Sequence, residues 1–147
     1  MKGKTATVIG HSDCYEVSKK SVRARLLEMI ENGYTRFLFG GMGYFDTLCA
    51  RVIKELGERY ALSSYLVIPY LTFKNYDRSL YTDVIYPEGF EKFYFKRAIV
   101  ERNRYLVDHA SCALCYVVRS VGGAYQTLLY AKKSDILLLP LEKDGKM

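Results

Sequence analysis

The sequence predicts an α/β domain built on a doubly wound, mostly parallel sheet of about five strands, with helices on both faces. Three observations carry this expectation. Short apolar runs alternate with helix-period segments along the 147 residues. The apolar runs are continuous rather than alternating, as in strands buried on both faces of a parallel sheet. Three glycine-bearing turns, Gly10-His11, Gly40-Gly41 and Gly122-Gly123, fall at strand ends. Strands alternating with helices of about ten to fifteen residues form right-handed βαβ units. In such sheets ligands bind outside the carboxyl ends of the strands, at the switch point.

In chain order, residues 5–10 form a short apolar run ending in glycine. A helix is expected over 16–32, where Val22, Leu26, Leu27 and Ile30 share one face and Gly33 ends the pattern. Residues 35–39 read as the next strand, followed by Gly40-Gly41-Met42-Gly43 and a helix over 45–60. Residues 65–69 are a third strand. A longer connection over 70–90 is rich in Tyr, Asp and Pro and has room for a short strand at 82–86. A helix over 92–110, a strand over 113–118, the Gly122-Gly123 turn, a helix over 124–133 and a strand over 136–139 complete the pattern.

Half the residues are hydrophobic and 26% are charged, the balance of a globular domain rather than a disordered chain. One domain spanning residues 1–147 is expected. No apolar run approaches the roughly 18 residues that span a bilayer. The start, Met1-Lys2-Gly3-Lys4, lacks the apolar region of a signal peptide, so a cytoplasmic location is expected. Cys112 and Cys115 form a C-x-x-C, and His11 and His109 could in principle complete a metal set. Residues three apart on a strand point to opposite faces. The four cysteines are therefore expected as small buried hydrophobes, with no metal centre. The net charge of +6 suits an anionic partner. The basic residues are scattered, with Lys96, Arg97, Arg102 and Arg104 the densest group, and are read as solvated surface.

The first candidate for chemistry is Gly40-Gly41-Met42-Gly43-Tyr44-Phe45-Asp46, which leaves a strand and opens a helix. Glycines there let backbone approach a ligand, and a helix start offers N–H groups to an anion. The segment is neither a G-x-G-x-x-G fingerprint nor a P-loop. Asp46 could bind a ribose hydroxyl or cap its helix. Gly122-Gly123-Ala124-Tyr125-Gln126-Thr127 repeats the geometry, and two such turns could embrace a phosphate from both sides. Arg102 and Asn103 could bind phosphate, ribose or base. By spacing alone, Glu101-Arg102-Asn103-Arg104 and Asp108 read as a charged helix surface, with Glu101 supporting Arg104. His11 could touch a ligand or be an ordinary turn residue. Ser12 and Asp13 beside it do not make a triad. His109 is expected to be structural. Tyr76, Tyr81, Tyr86 and Tyr94 could form an aromatic wall for a base or a dimer interface.

The run Gly40-Gly-Met-Gly-Tyr-Phe-Asp-Thr47, followed by Cys49-Ala50, resembles the G-G-A-x-G-F-D-T-x-A-A motif of the SLOG superfamily. Ile85-Tyr-Pro-Glu-Gly-Phe90, Phe95-Lys-Arg-Ala98, Glu101-Arg-Asn-Arg-Tyr105, Asp108 and Gly122-Gly-Ala-Tyr-Gln-Thr127 are similar to small YpsA-like members, in the same order along nearly the whole chain. The superfamily includes the DprA Rossmann domain and LOG-type nucleotide hydrolases. The resemblance implies a Rossmann-like fold that binds nucleotides or nucleotide-derived signals. LOG-type members hydrolyse the N-glycosidic bond of nucleoside monophosphates with an arginine on the third helix and a glutamate after a P-G-G-x-G-T turn. Arg102 matches that arginine. The proline and the G-T are absent here, and Leu128 and Leu129 stand where the glutamate would be. Tyr44 replaces a usual glycine.

The leading expectation is thus a binding or sensing domain for a nucleotide-derived small molecule, with no cofactor assigned. Gly10, His11, Gly40, Gly41, Gly43 and Asp46 would form one wall of its site; Arg102, Asn103, Gly122, Gly123 and Thr127 would form the other. One alternative is a nucleoside-monophosphate N-glycosidase in which Asp46 or Glu101, with Arg102, replaces the missing glutamate. A second is DprA-like binding of single-stranded DNA. A homodimer or higher homo-oligomer is expected, with a pocket completed across a two-fold axis.

Overall fold

The computed structural model describes residues 4–141. Six strands, β1 (Thr5–Gly10), β2 (Arg36–Phe39), β3 (Ser63–Val67), β4 (Asp83–Ile85), β5 (Cys112–Tyr116) and β6 (Leu137–Pro140), form one sheet in the order β4-β3-β2-β1-β5-β6. Every neighbouring pair is parallel. The fold is the expected Rossmann-like α/β architecture, with six strands rather than about five. The additional strand is β4, three residues long, which pairs Tyr65 with Asp83 and Val67 with Ile85.

Four helices connect the strands: α1 (Lys19–Glu31), α2 (Tyr44–Leu56), α3 (Phe95–Asp108) and α4 (Gly123–Lys132). α1 packs on α2, and α3 packs on α4. The strands show why their sequences read as unbroken apolar runs. Ala6, Val8, Phe37, Phe39, Leu66, Leu114 and Tyr116 join the core with α1 and α2. The alternate residues Ile9, Ala113 and Cys115 pack with α3 and α4, and Leu38 and Val67 pack with Leu106 of α3. Cys112 and Cys115 accordingly lie in different core layers, and all four cysteines are buried and free.

Several boundaries are tighter than the sequence predicts. α1 starts at Lys19 because the Ser18 hydroxyl accepts from the Ser21 amide at 3.1 Å, a side-chain cap. A 3-10 turn over Phe90–Lys92 precedes α3 and shortens it at its start. Between β3 and β4 there is no α-helix. That connection is held by Thr82 Oγ1, which accepts from Ser64 N at 3.0 Å, and by the Phe73–Tyr76 ring stack.

Successive strands run outward from β1 through β2 and β3 to β4, and then the chain returns to lay β5 on the other side of β1. The switch point therefore lies between β1 and β5, where ligand sites of such sheets occur.

Candidate functional site

A cleft of about 550 Å³ opens at this switch point, a size suited to a small ligand. Its floor is the end of β1, from Thr7 to Gly10. Ile99, Arg102, Asn103 and Leu106 of α3 form one wall. The His11–Asp13 loop, Gly40, Met42 and Asp46 form another, and Arg119, Val121–Ala124 and Thr127 complete the rim.

Asp46 sits in the first turn of α2 but does not cap that helix. Gly43 is its N-cap, and no side chain bonds there. The Asp46 carboxylate reaches back to accept from Gly40 N and Gly41 N, each at 2.8 Å. Burial lifts its pKa above the ordinary carboxylate value, against the two amides and the Arg102 charge, which pull it down. The first glycine turn is therefore fastened by its own helix, and its two leading amides are engaged. Gly43 is required on two counts. Its φ is +94°, and a Cβ would stand 2.5 Å from Ser12 Cα, where the Tyr44 amide donates to Ser12 O at 2.9 Å.

Arg102 departs from the surface reading of its helix, since it is only 2% exposed. Nη1 donates to Gly40 O at 2.6 Å and to Val67 O at 3.1 Å, and Nε donates to Asn103 Oδ1 at 2.9 Å. Nη2 meets the Met42 thioether at 3.1 Å. The Gly40–Gly41 peptide is thus gripped on both sides, its C=O by Arg102 and its N–H by Asp46. Burial pulls the Arg102 pKa down while Asp46 and Tyr70 support its charge, and a guanidinium stays protonated throughout. With Arg102 turned inward, the basic group of the sequence is divided between the interior and the surface, where Arg97 and Arg104 share the Glu101 carboxylate. Arg97 pairs with Glu101 at 2.6 Å, and Arg104 lies over the Tyr130 ring.

His11 is 4% exposed. Its Nε2 accepts from Val118 N at 2.9 Å and from Arg119 N at 3.3 Å. An acceptor Nε2 means a neutral ring with its proton on Nδ1. Burial and the Arg119 charge lower its pKa. The imidazole thereby ties the loop after β5 to the end of β1. Across the same mouth the Arg119 guanidinium donates to Asp13 and holds that carboxyl below its usual range.

The start of α4 is arranged differently from that of α2. Its N-cap, Gly122, has φ +94° and no side-chain cap bond, and the space beside Gly122 and Gly123 is open. A helix start of this kind directs N–H groups and a positive dipole end at an anion. Thr127 Oγ1 donates to Gly123 O at 2.8 Å.

Of the residues expected from the sequence, Gly10, His11, Gly40 and Asp46 come together with Arg102, Asn103, Gly122, Gly123 and Thr127 around the one cleft. Gly41, Gly43 and Glu101 are not on its lining. Gly10 serves packing, because a Cβ there would stand 2.2 Å from Phe45 Cδ2. His109 stacks on Tyr105, and its Nδ1 lies 2.9 Å from Tyr105 O. Tyr81 is buried, Tyr76 stacks on Phe73, and Tyr86 meets Phe90 edge-on. Tyr94 alone of those four is fully outward, at 90% exposure. Sequence reasoning missed Arg119 and Met42 as site residues. The available signals were a basic residue three positions before a glycine pair, and a long side chain between two turn glycines. Among the described residues no group of three or more His, Cys, Asp or Glu is placed to hold a metal, and no helix is long and apolar enough to cross a membrane.

No protein-family model matches the chain, and no curated protein matches it. Solved structures share its fold. DNA processing protein A from Helicobacter pylori, described with its unique single-stranded DNA binding mode, superposes with a TM-score of 0.70 at 15% identity, over 99% of this chain and 68% of that one. DprA from Streptococcus pneumoniae gives 0.70 at 17% identity, over 95% of this chain and 50% of that one. The structural-genomics target TM1055 gives 0.58 at 13% identity, over 89% of this chain and 68% of that one. The chain thus spans half to two thirds of these neighbours. At such identities the likeness establishes the Rossmann-like fold.

Proposed function

We propose that the switch-point cleft binds a nucleotide or nucleotide-derived molecule, with a phosphate at the start of α4. The observation that carries this reading is the uncapped helix start at Gly122–Gly123, open to the cleft beside Arg119. Ile99, Leu106 and Val121 supply apolar surface for the rest of the ligand. The resemblance to the SLOG superfamily supports the same ligand class. Binding without turnover is favoured over N-glycoside hydrolysis. Asp46 is committed to the Gly40 and Gly41 amides, and Glu101 lies off the cleft with Arg97. Such a hydrolase needs a carboxylate free to act on the sugar or on water.

The test is a thermal-shift screen against nucleoside mono-, di- and triphosphates, NAD, ADP-ribose and cyclic dinucleotides, with mass analysis of each mixture. A ligand that binds only the folded state raises Tm by mass action. Arg119→Ala, which removes a rim cation, should weaken the hit on the order of tenfold, as loss of a charge-assisted hydrogen bond does. Release of free base would restore the hydrolase, and the absence of any shift would overturn the nucleotide reading. A second reading, single-stranded DNA at the same edge, is favoured by the fold shared with the two DNA processing proteins and by the net charge of +6. It predicts oligonucleotide affinity that falls steeply with salt.

A further inference from the structure

Resting on that reading, the contact between Met42 and Arg102 says how the ligand enters. Arg102 is a cation removed from water, yet among the described residues no carboxylate lies within ion-pair distance of it. Two of its nitrogens are served by oxygens. The third, Nη2, has the Met42 sulfur. A thioether is a weak, uncharged acceptor, whereas a buried charge calls for a charged or strongly polar partner. Met42 itself is 42% exposed and lies between Gly41 and Gly43, whose φ angles are +71° and +94°. Its side chain has three soft torsions and little burial to hold it in place. Arg102 and Met42 line the cleft side by side.

We propose that the Met42 thioether is a displaceable stand-in for an anionic oxygen of the ligand. On binding, the Met42 side chain leaves Arg102 Nη2, and a phosphate oxygen takes its position. The exchange replaces a weak bond with a charge-assisted one, roughly twice as strong as a neutral hydrogen bond. Met42 therefore acts as a positioning residue that sets the threshold for entry. It keeps the guanidinium occupied in the free protein and discriminates against neutral ligands, which cannot offer Nη2 a better acceptor.

The test compares the wild-type protein and Met42→Ala by calorimetric titration with pyrophosphate and with AMP. The Met42 methyl resonance, assigned by its loss in the variant, is followed in parallel. Removing the competing thioether should tighten anion binding on the order of fivefold, the worth of one modest hydrogen bond. The Met42 methyl should move on titration while that of Met29, on the buried face of α1, stays still. Equal or weaker binding by the variant, or an unmoved Met42 methyl, would overturn the exchange and leave the nucleotide reading standing if AMP binds. Pyrophosphate binding that tightens in the variant, without any AMP binding, would uphold the exchange and overturn the nucleotide reading. Binding of neither probe to either protein would overturn both.

Discussion

His11→Ala should destabilise the protein and remove part of its dependence on pH. The imidazole accepts from Val118 N at 2.9 Å and Arg119 N at 3.3 Å. Deleting it orphans the first donor, at about 1–3 kcal/mol, and weakens little through the longer second bond. The expected loss is about 2 kcal/mol, or about 6 °C in Tm for a domain of this size. The pH dependence follows from the lowered pKa of His11. A group whose folded pKa is depressed contributes stability above its unfolded value, near 6.5, and loses it as pH falls through the folded pKa. Protonation also turns Nε2 into a donor facing two donors. Urea unfolding between pH 8 and pH 5 should show the wild-type curve falling below about pH 6.5 more steeply than that of the variant. Parallel curves for the two proteins would show that His11 is not the neutral acceptor inferred from its contacts.

Asp46→Asn puts an NH2 against Gly40 N or Gly41 N, and the lost charge-assisted bond should cost about 2 kcal/mol in urea unfolding; an unchanged midpoint would free Asp46 for a ligand role. Gly10→Ala drives a methyl into the Phe45 ring, and overpacking of this kind should lower stability by about 3 kcal/mol in thermal unfolding. The native thiols should resist a disulfide reagent at pH 8 until urea is added, because all four are buried. Burial pushes Cys14 up to about 11 and Cys115 up to about 12. One fast-reacting thiol in the native protein would contradict this.

The glycine turns, the strand runs and the helical stripes were legible because each is set by residues within a few positions of one another. The site was legible only as a region. Ala98, Arg102 and Leu106 are spaced i, i+4, i+8, and all three are buried. That stripe contained the signal that Arg102 faces inward, but the spacing of Glu101 and Arg104 read the segment as a charged helix surface. His11 was ambiguous because its partners lie 107 and 108 positions away, a separation that only the β1–β5 pairing closes. Asp46 does not cap its helix, for a related reason. Its partners precede it by five and six residues, a reach made possible by the turn through Gly41 and Gly43.

These contacts bear on how the cleft selects its ligand. Asp46 is bound to backbone amides, Arg102 to two carbonyls, an amide oxygen and a thioether, and Arg119 to Asp13. The uncapped start of α4 offers backbone donors to the cleft without first breaking a side-chain cap bond. The remaining cations are held by weak competitors. An exposed ion pair such as Asp13–Arg119 contributes roughly 0–1 kcal/mol, and the thioether is a weak acceptor. A phosphate can compete for both: at Arg102 it replaces a thioether with a charge-assisted bond, and at Arg119 it competes with an exposed ion pair of little net worth. A neutral nucleoside gains nothing from either exchange, so it should bind far more weakly than its monophosphate even though it presents the same base and sugar. Titrating both under one salt condition decides the point. Comparable affinities would mean that the apolar wall, rather than the cations and the helix start, governs recognition.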